Sequence, residues 1–138
     1  MDNPTWVPRV AVMAAHLEQL REHGGLQGIR DPNGLEAALA RPEHKNWYQE
    51  DVDSADLAAA YAYGLAKGHC FVDGNKRVGL AVALIFLELN GLELTAEVTS
   101  DDVVAVMLAT ASGEIDEVVL AQWFRERIVP LSDFPSPE

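Results

Sequence analysis

Residues 74–90, GNKRVGLAVALIFLELN, limit the fold of this chain more than any other stretch. Val78, Leu80, Val82, Leu84, Ile85, Phe86, Leu87 and Leu89 cover nearly the whole circumference of a helix. A helix apolar on all sides belongs at the centre of a domain. Glu88, Asn90 and Glu93 interrupt the apolar run too early for a membrane span. Shorter helices are expected around this rod. In residues 10–23, Val10, Met13, Ala14, Leu17 and Leu20 recur at intervals of three and four before Gly24-Gly25. Asp31-Pro32-Asn33-Gly34 reads as a turn, and a short helix over 35–40 stops before Pro42. Residues 43–53 are polar apart from Trp47-Tyr48 and read as an exposed loop or small hairpin. Ser54 is the expected cap of a helix that Gly68 ends, and Asn90-Gly91 closes the central helix. Ser100 caps a helix over 101–111, and Asp116 caps the last one, to about Arg127. The expected fold class is all-α, a helical bundle with one central buried helix preceded by a loop. It forms one domain over 1–130, and 131–138 form a loose tail.

A chain of 138 residues buries roughly two-thirds of its unfolded surface, enough for one core. With 49% hydrophobic residues spread evenly, disorder is not expected. Ten basic and 22 acidic residues give a net charge of −12, which argues against nucleic acid and against an anionic membrane as partners. Cys70 is the only cysteine and has no internal disulfide partner, which fits a reducing cytoplasm. Met1-Asp2-Asn3-Pro4 has no basic region and no apolar core, so no secretory leader is expected.

The chemistry is concentrated just ahead of the central helix, in GHCFVDGNKR, residues 68–77. The first amides of that helix lack helical acceptors, and the aligned peptide dipoles add about half a positive charge there. Such an end is an anion site before any side chain is counted. Gly74 lacks the Cβ that would keep a phosphate from the backbone, and Lys76 and Arg77 add two cations in a chain that has few. His69 stands at the mouth, the residue type suited to take a proton at neutral pH. Asp73 is the natural ligand for a Mg²⁺ ion bridging phosphate oxygens, and it is equally an N-cap for the helix. Phe71 is expected to anchor the loop to the core, and Asn75 to hydrogen-bond it. Base, metal ligand and phosphate cradle are the parts of phosphoryl or nucleotidyl transfer to a hydroxyl. The spacing is not that of a Walker loop, because Gly68 to Gly74 is one residue too long and Arg77 replaces the Ser or Thr. A zinc site from His69, Cys70 and Asp73 finds no second ligand pair, and Cys70 sits in an apolar slot unsuited to a nucleophile. His16, His23 and His44 lie among ordinary helix and loop residues and read as structural.

His69-Cys70-Phe71-Val72-Asp73-Gly74-Asn75-Lys76-Arg77 resembles the signature of the Fic/Doc superfamily, His-x-Phe-x-Asp-(Ala/Gly)-Asn-Lys-Arg, most closely in its death-on-curing (Doc) toxin branch. The likeness extends to Gly24-Gly25-Leu26-x-Gly28-Ile29-x-Asp31-Pro32, to Leu35-Glu36-Ala37-Ala38-Leu39-Ala40-Arg41-Pro42, and to Phe86-Leu87-Glu88-Leu89-Asn90-Gly91. It covers about residues 8–126. Fic proteins that transfer AMP carry glycine where this chain has Lys76 and a second arginine where it has Leu80; both departures match the Doc toxins. The resemblance implies a reversed ATP, with its γ-phosphate toward the attacking hydroxyl, and protein phosphorylation as the outcome. On that pattern His69 is the general base on a Ser or Thr hydroxyl and Asp73 holds Mg²⁺. Gly74 and Asn75 shape the anion cradle, while Lys76 and Arg77 hold the ATP phosphates. It further implies a cytoplasmic toxin of a toxin–antitoxin pair. The target the resemblance implies is elongation factor Tu, and the restraint it implies is an antitoxin helix lying in a groove of the toxin. The internal inhibitory helix of many Fic proteins finds its nearest match at Thr110-Ala111-Ser112-Gly113-Glu114, spoiled by Ile115, so inhibition in trans is expected. Trp47 and Tyr48 fall where family members dock their target, and a fold-back onto the core is an equal reading. Two alternatives stay open: a protein AMPylator, and a non-catalytic helical binding module.

Overall fold

A computed structural model describes residues 1–132. Six helices surround one core, in the order α1 (Arg9–His23), α2 (Pro32–Tyr48), α3 (Ser54–Gly68), α4 (Asn75–Leu89), α5 (Ser100–Ser112) and α6 (Glu117–Arg125). Among the described residues the chain is all-α but for one short antiparallel strand pair, β1 (Leu92–Leu94) with β2 (Ile128–Pro130), in register Leu92 to Pro130. None of the described helices is long and apolar enough to cross a membrane.

The apolar rod predicted from the sequence is α4, whose Val78, Val82, Ala83, Phe86 and Leu87 are buried. It shares the centre with α3, whose Leu57, Ala58, Ala59, Ala60, Tyr61, Ala62 and Leu65 are buried as well. Small residues bring these two backbones together: a Cβ on Gly79 would lie 2.9 Å from the Ala62 carbonyl oxygen. Tyr61 and Phe86 meet across the seam at 5.4 Å, and Trp6 of the N-terminal segment stacks on Phe86 at 5.9 Å. The helices α1, α2, α5 and α6 pack around this pair.

Several boundaries differ from expectation. Residues 43–48 are not a loop: α2 begins at Pro32, capped by the Asp31 carboxylate on the Gly34 amide at 2.9 Å, and continues through Pro42 to Tyr48. A proline normally ends a helix by clashing with the preceding turn. Here Pro42 is buried, and tertiary contacts hold the second half of the helix in place. Arg41 and Lys45 both reach Glu117 on α6, and Arg41 also lies over the Tyr63 ring. The caps of α3 and α5 sit one residue earlier than Ser54 and Ser100. Asp53 pairs with Asp56 and Thr99 with Asp102 in reciprocal capping boxes, which satisfy two orphan amides each. The last helix stops at Arg125, because residues 128–130 leave it to pair with β1. Trp47 and Tyr48 do not fold back; they are 82% and 79% exposed at the end of α2. Of the expected tail, Leu131 donates to the Gly91 carbonyl and Ser132 to Glu93; the remainder lies outside the described residues.

Candidate active site

The loop between α3 and α4 is built from backbone constraints. His69 closes α3 in the left-handed conformation, φ 49° and ψ 41°, a position usually given to glycine. Cys70 and Phe71 then dive into the core, both fully buried. Burial raises the Cys70 thiol pKa above its ordinary value, which disfavours the nucleophilic thiolate. Asn75 staples the loop: its Oδ1 accepts from the Phe71 amide and its Nδ2 donates to the Phe71 carbonyl, each at 3.0 Å.

A second segment braces the loop from outside. Ile29 forms an antiparallel bridge with Phe71, the Arg30 amide donates to the Cys70 carbonyl at 2.8 Å, and the Val72 amide donates to the Gly28 carbonyl at 3.0 Å. Residues 24–31, some forty positions ahead of the motif in sequence, are thus its scaffold. Gly25 shows the fit: at φ 121°, a Cβ there would lie 3.2 Å from Asp73 Cβ. The neighbouring Leu26 amide donates to Asp73 Oδ2 at 2.7 Å.

Asp73 therefore does not cap α4. The N-cap is Gly74, φ 81° and ψ 17°, with no side-chain cap, and α4 has no acidic residue in its first turn. The first backbone bond of this turn runs from Val78 to the Gly74 carbonyl at 2.9 Å, which leaves the amides of Asn75, Lys76 and Arg77 without helical acceptors. Gly74 has a positive φ, and a Cβ there would make ordinary contacts of 3.7 Å with His16 and Leu20 on the α1 side.

His69, Asp73, Gly74, Asn75, Lys76 and Arg77 all line one cleft of about 520 Å³. All six residues selected from the sequence therefore meet at one place. The ion pairs among the described residues fall on Arg9, Arg21, His23, Arg41, Lys45, Arg125 and Arg127, and none of them includes Lys76 or Arg77. An apolar wall of the cleft comes from α5, through Val103, Val104, Met107, Leu108 and Ala111, and Leu80 of α4 lines it as well. Val104 and Leu108 are 57% and 53% exposed. The sequence reading passed over this wall, although apolar residues at 104 and 108, one turn apart, were its signal. It also passed over the connection of His16 to the loop: this buried ring stacks on Phe71 at 3.9 Å and its Nε2 lies 2.8 Å from the Asp73 carbonyl oxygen.

Among known proteins, the profile of the Fic/DOC family matches residues 6–87. A protein of Escherichia phage P1 named "Protein kinase doc" is 33% identical over 114 residues, covering 83% of this chain and 88% of that protein. "Toxin Doc" of Mycolicibacterium smegmatis is 37% identical over 94 residues, covering 67% of this chain and 72% of that protein. The chain belongs to the Fic/DOC family, and within it to the Doc branch.

Proposed function

We propose that the protein is the toxin of a toxin–antitoxin pair and transfers the γ-phosphate of ATP to a Ser or Thr hydroxyl of a protein target, with elongation factor Tu as the target the resemblance implies. The observation that carries the reading is the convergence of His69, Asp73, Lys76 and Arg77 on a cleft headed by the uncapped start of α4. The names of the two relatives, a protein kinase and a toxin, support it.

The open amides of α4 and the Lys76 and Arg77 side chains bind and orient the phosphates. His69 takes the proton of the target hydroxyl as its oxygen bonds to the γ-phosphorus; the bond from that phosphorus to the β-phosphate oxygen breaks and ADP leaves. Asp73 fits a magnesium ion of the kind that keeps most of its ligands from phosphate and water. One of its carboxylate oxygens takes the Leu26 amide, which leaves the other available. The ion would offset phosphate charge there. Leu80 and Lys76 both line the cleft, and they replace the second arginine and the glycine of the AMP-transferring branch. The exposed apolar wall of α5 suits an amphipathic helix of an antitoxin.

The test is transfer of label from γ-labelled and α-labelled ATP to elongation factor Tu. Label from the γ position alone is expected, abolished in His69→Ala. Label from the α position alone would mean AMPylation. No label from either, with growth arrest that survives His69→Ala, would leave only a binding module.

A further inference from the structure

We infer that His16, on α1, is a positioning residue for the phosphate cradle: by holding the Asp73 carbonyl it aims the Gly74 amide into the cleft. The inference rests on the reading of that cleft as a triphosphate site. His16 is 2% exposed and α1 supplies none of the described cleft lining, so the ring never meets a ligand. Its Nε2 lies 2.8 Å from the Asp73 carbonyl oxygen, and since a carbonyl only accepts, this nitrogen carries the proton. The ring is held in that orientation by its stack on Phe71, at 3.9 Å and 20°.

The consequence follows from peptide geometry. A trans peptide is planar, with its carbonyl and N–H on opposite sides. The chain has no cis peptide among the described residues. With the Asp73 carbonyl turned toward α1, the Gly74 N–H of the same peptide points away from α1. Among the described residues that N–H has no acceptor, and Gly74 lines the cleft. It thus joins the amides of Asn75, Lys76 and Arg77 as a fourth donor. The Leu26 amide fixes the Asp73 carboxylate at the same time, so Asp73 is gripped at both ends and the peptide cannot flip without breaking one contact.

The test is an amide-resolved titration of the ¹⁵N-labelled protein with Mg²⁺ and inorganic triphosphate, in wild type, His16→Phe and His16→Gln. Phenylalanine keeps the stack and loses the donor; glutamine restores a donor. In wild type the Gly74 amide is expected to shift together with those of residues 75–77. His16→Phe is expected to weaken triphosphate binding about tenfold, and His16→Gln to recover most of the loss. A Gly74 amide that stays still in wild type overturns the inference, and this holds even if His16→Phe does not fold. Wild-type affinity in His16→Phe, or no recovery in His16→Gln, overturns it as well. Phosphate transfer from ATP is read separately. Responding amides without transfer sink the kinase reading and leave the positioning role standing. Transfer with a silent Gly74 does the reverse.

Discussion

His69 carries two demands at one position. The chain needs a residue that accepts φ 49° at the end of α3, and the proposed chemistry needs an imidazole at the same place. Histidine tolerates the left-handed region better than most residues, and asparagine tolerates it better still. His69→Asn therefore separates the two demands. Its thermal stability is expected within about 0.5 kcal/mol of wild type, as for an exposed site without strain. Its phosphate transfer is expected to fall by at least about 10²-fold. His69→Val should lose the transfer and also about 1–2 kcal/mol, because a branched Cβ is strained at that φ. Equal melting of the two variants would show that the backbone there relaxes freely.

At the scale of elements, the bundle is tied where the head of α3 meets the tail of α6. Arg125 donates to both carboxylate oxygens of Asp53, at 2.7 and 3.0 Å, and to Asp56 at 2.9 Å. The Arg125 hydrogen bond is the main cause that pulls the Asp53 carboxyl pKa down to about 2, with smaller help from the Asp56 amide and against partial burial. A carboxyl whose pKa is lower in the folded state adds stability above its unfolded pKa of about 4 and loses it as pH falls toward 2. Asp53→Asn keeps the helix cap and removes the charge. Because the pair is partly exposed and screened, the expected loss at pH 7 is at most about 1 kcal/mol. Melts of the two proteins should differ at pH 7 and converge near pH 2. A difference that persists at pH 2 would assign the effect to something other than this ion pair.

The whole molecule is strongly acidic, with a net charge of −12, yet Lys76 and Arg77 stand together at the one cleft that holds the site residues. Magnesium and ATP at ten times the dissociation constant should stabilise the fold by about 1.4 kcal/mol, a rise of a few degrees in Tm. Lys76→Glu with Arg77→Glu should abolish the rise and leave the ligand-free melt within about 0.5 kcal/mol, since both side chains are exposed. An undiminished rise in that double variant would move the nucleotide elsewhere. The central helix, the loop ahead of it and the six residues that meet in the cleft were legible in the sequence, because each depends on contacts within a few positions along the chain. Apolar periodicity and the order of residues around one helix start are local properties. The passage of α2 through Pro42, the pairing of 92–94 with 128–130, the brace from residues 24–31, the apolar wall of α5 and the grip of His16 on Asp73 were not. Each joins segments far apart in sequence, and a three-residue strand or a single histidine carries no period of its own. Local pattern determined which helices form and where their chemistry starts. Only packing decided which distant backbone groups hold that chemistry in place, because a hydrogen bond such as His16 to Asp73, 57 residues apart, exists only once the core has closed.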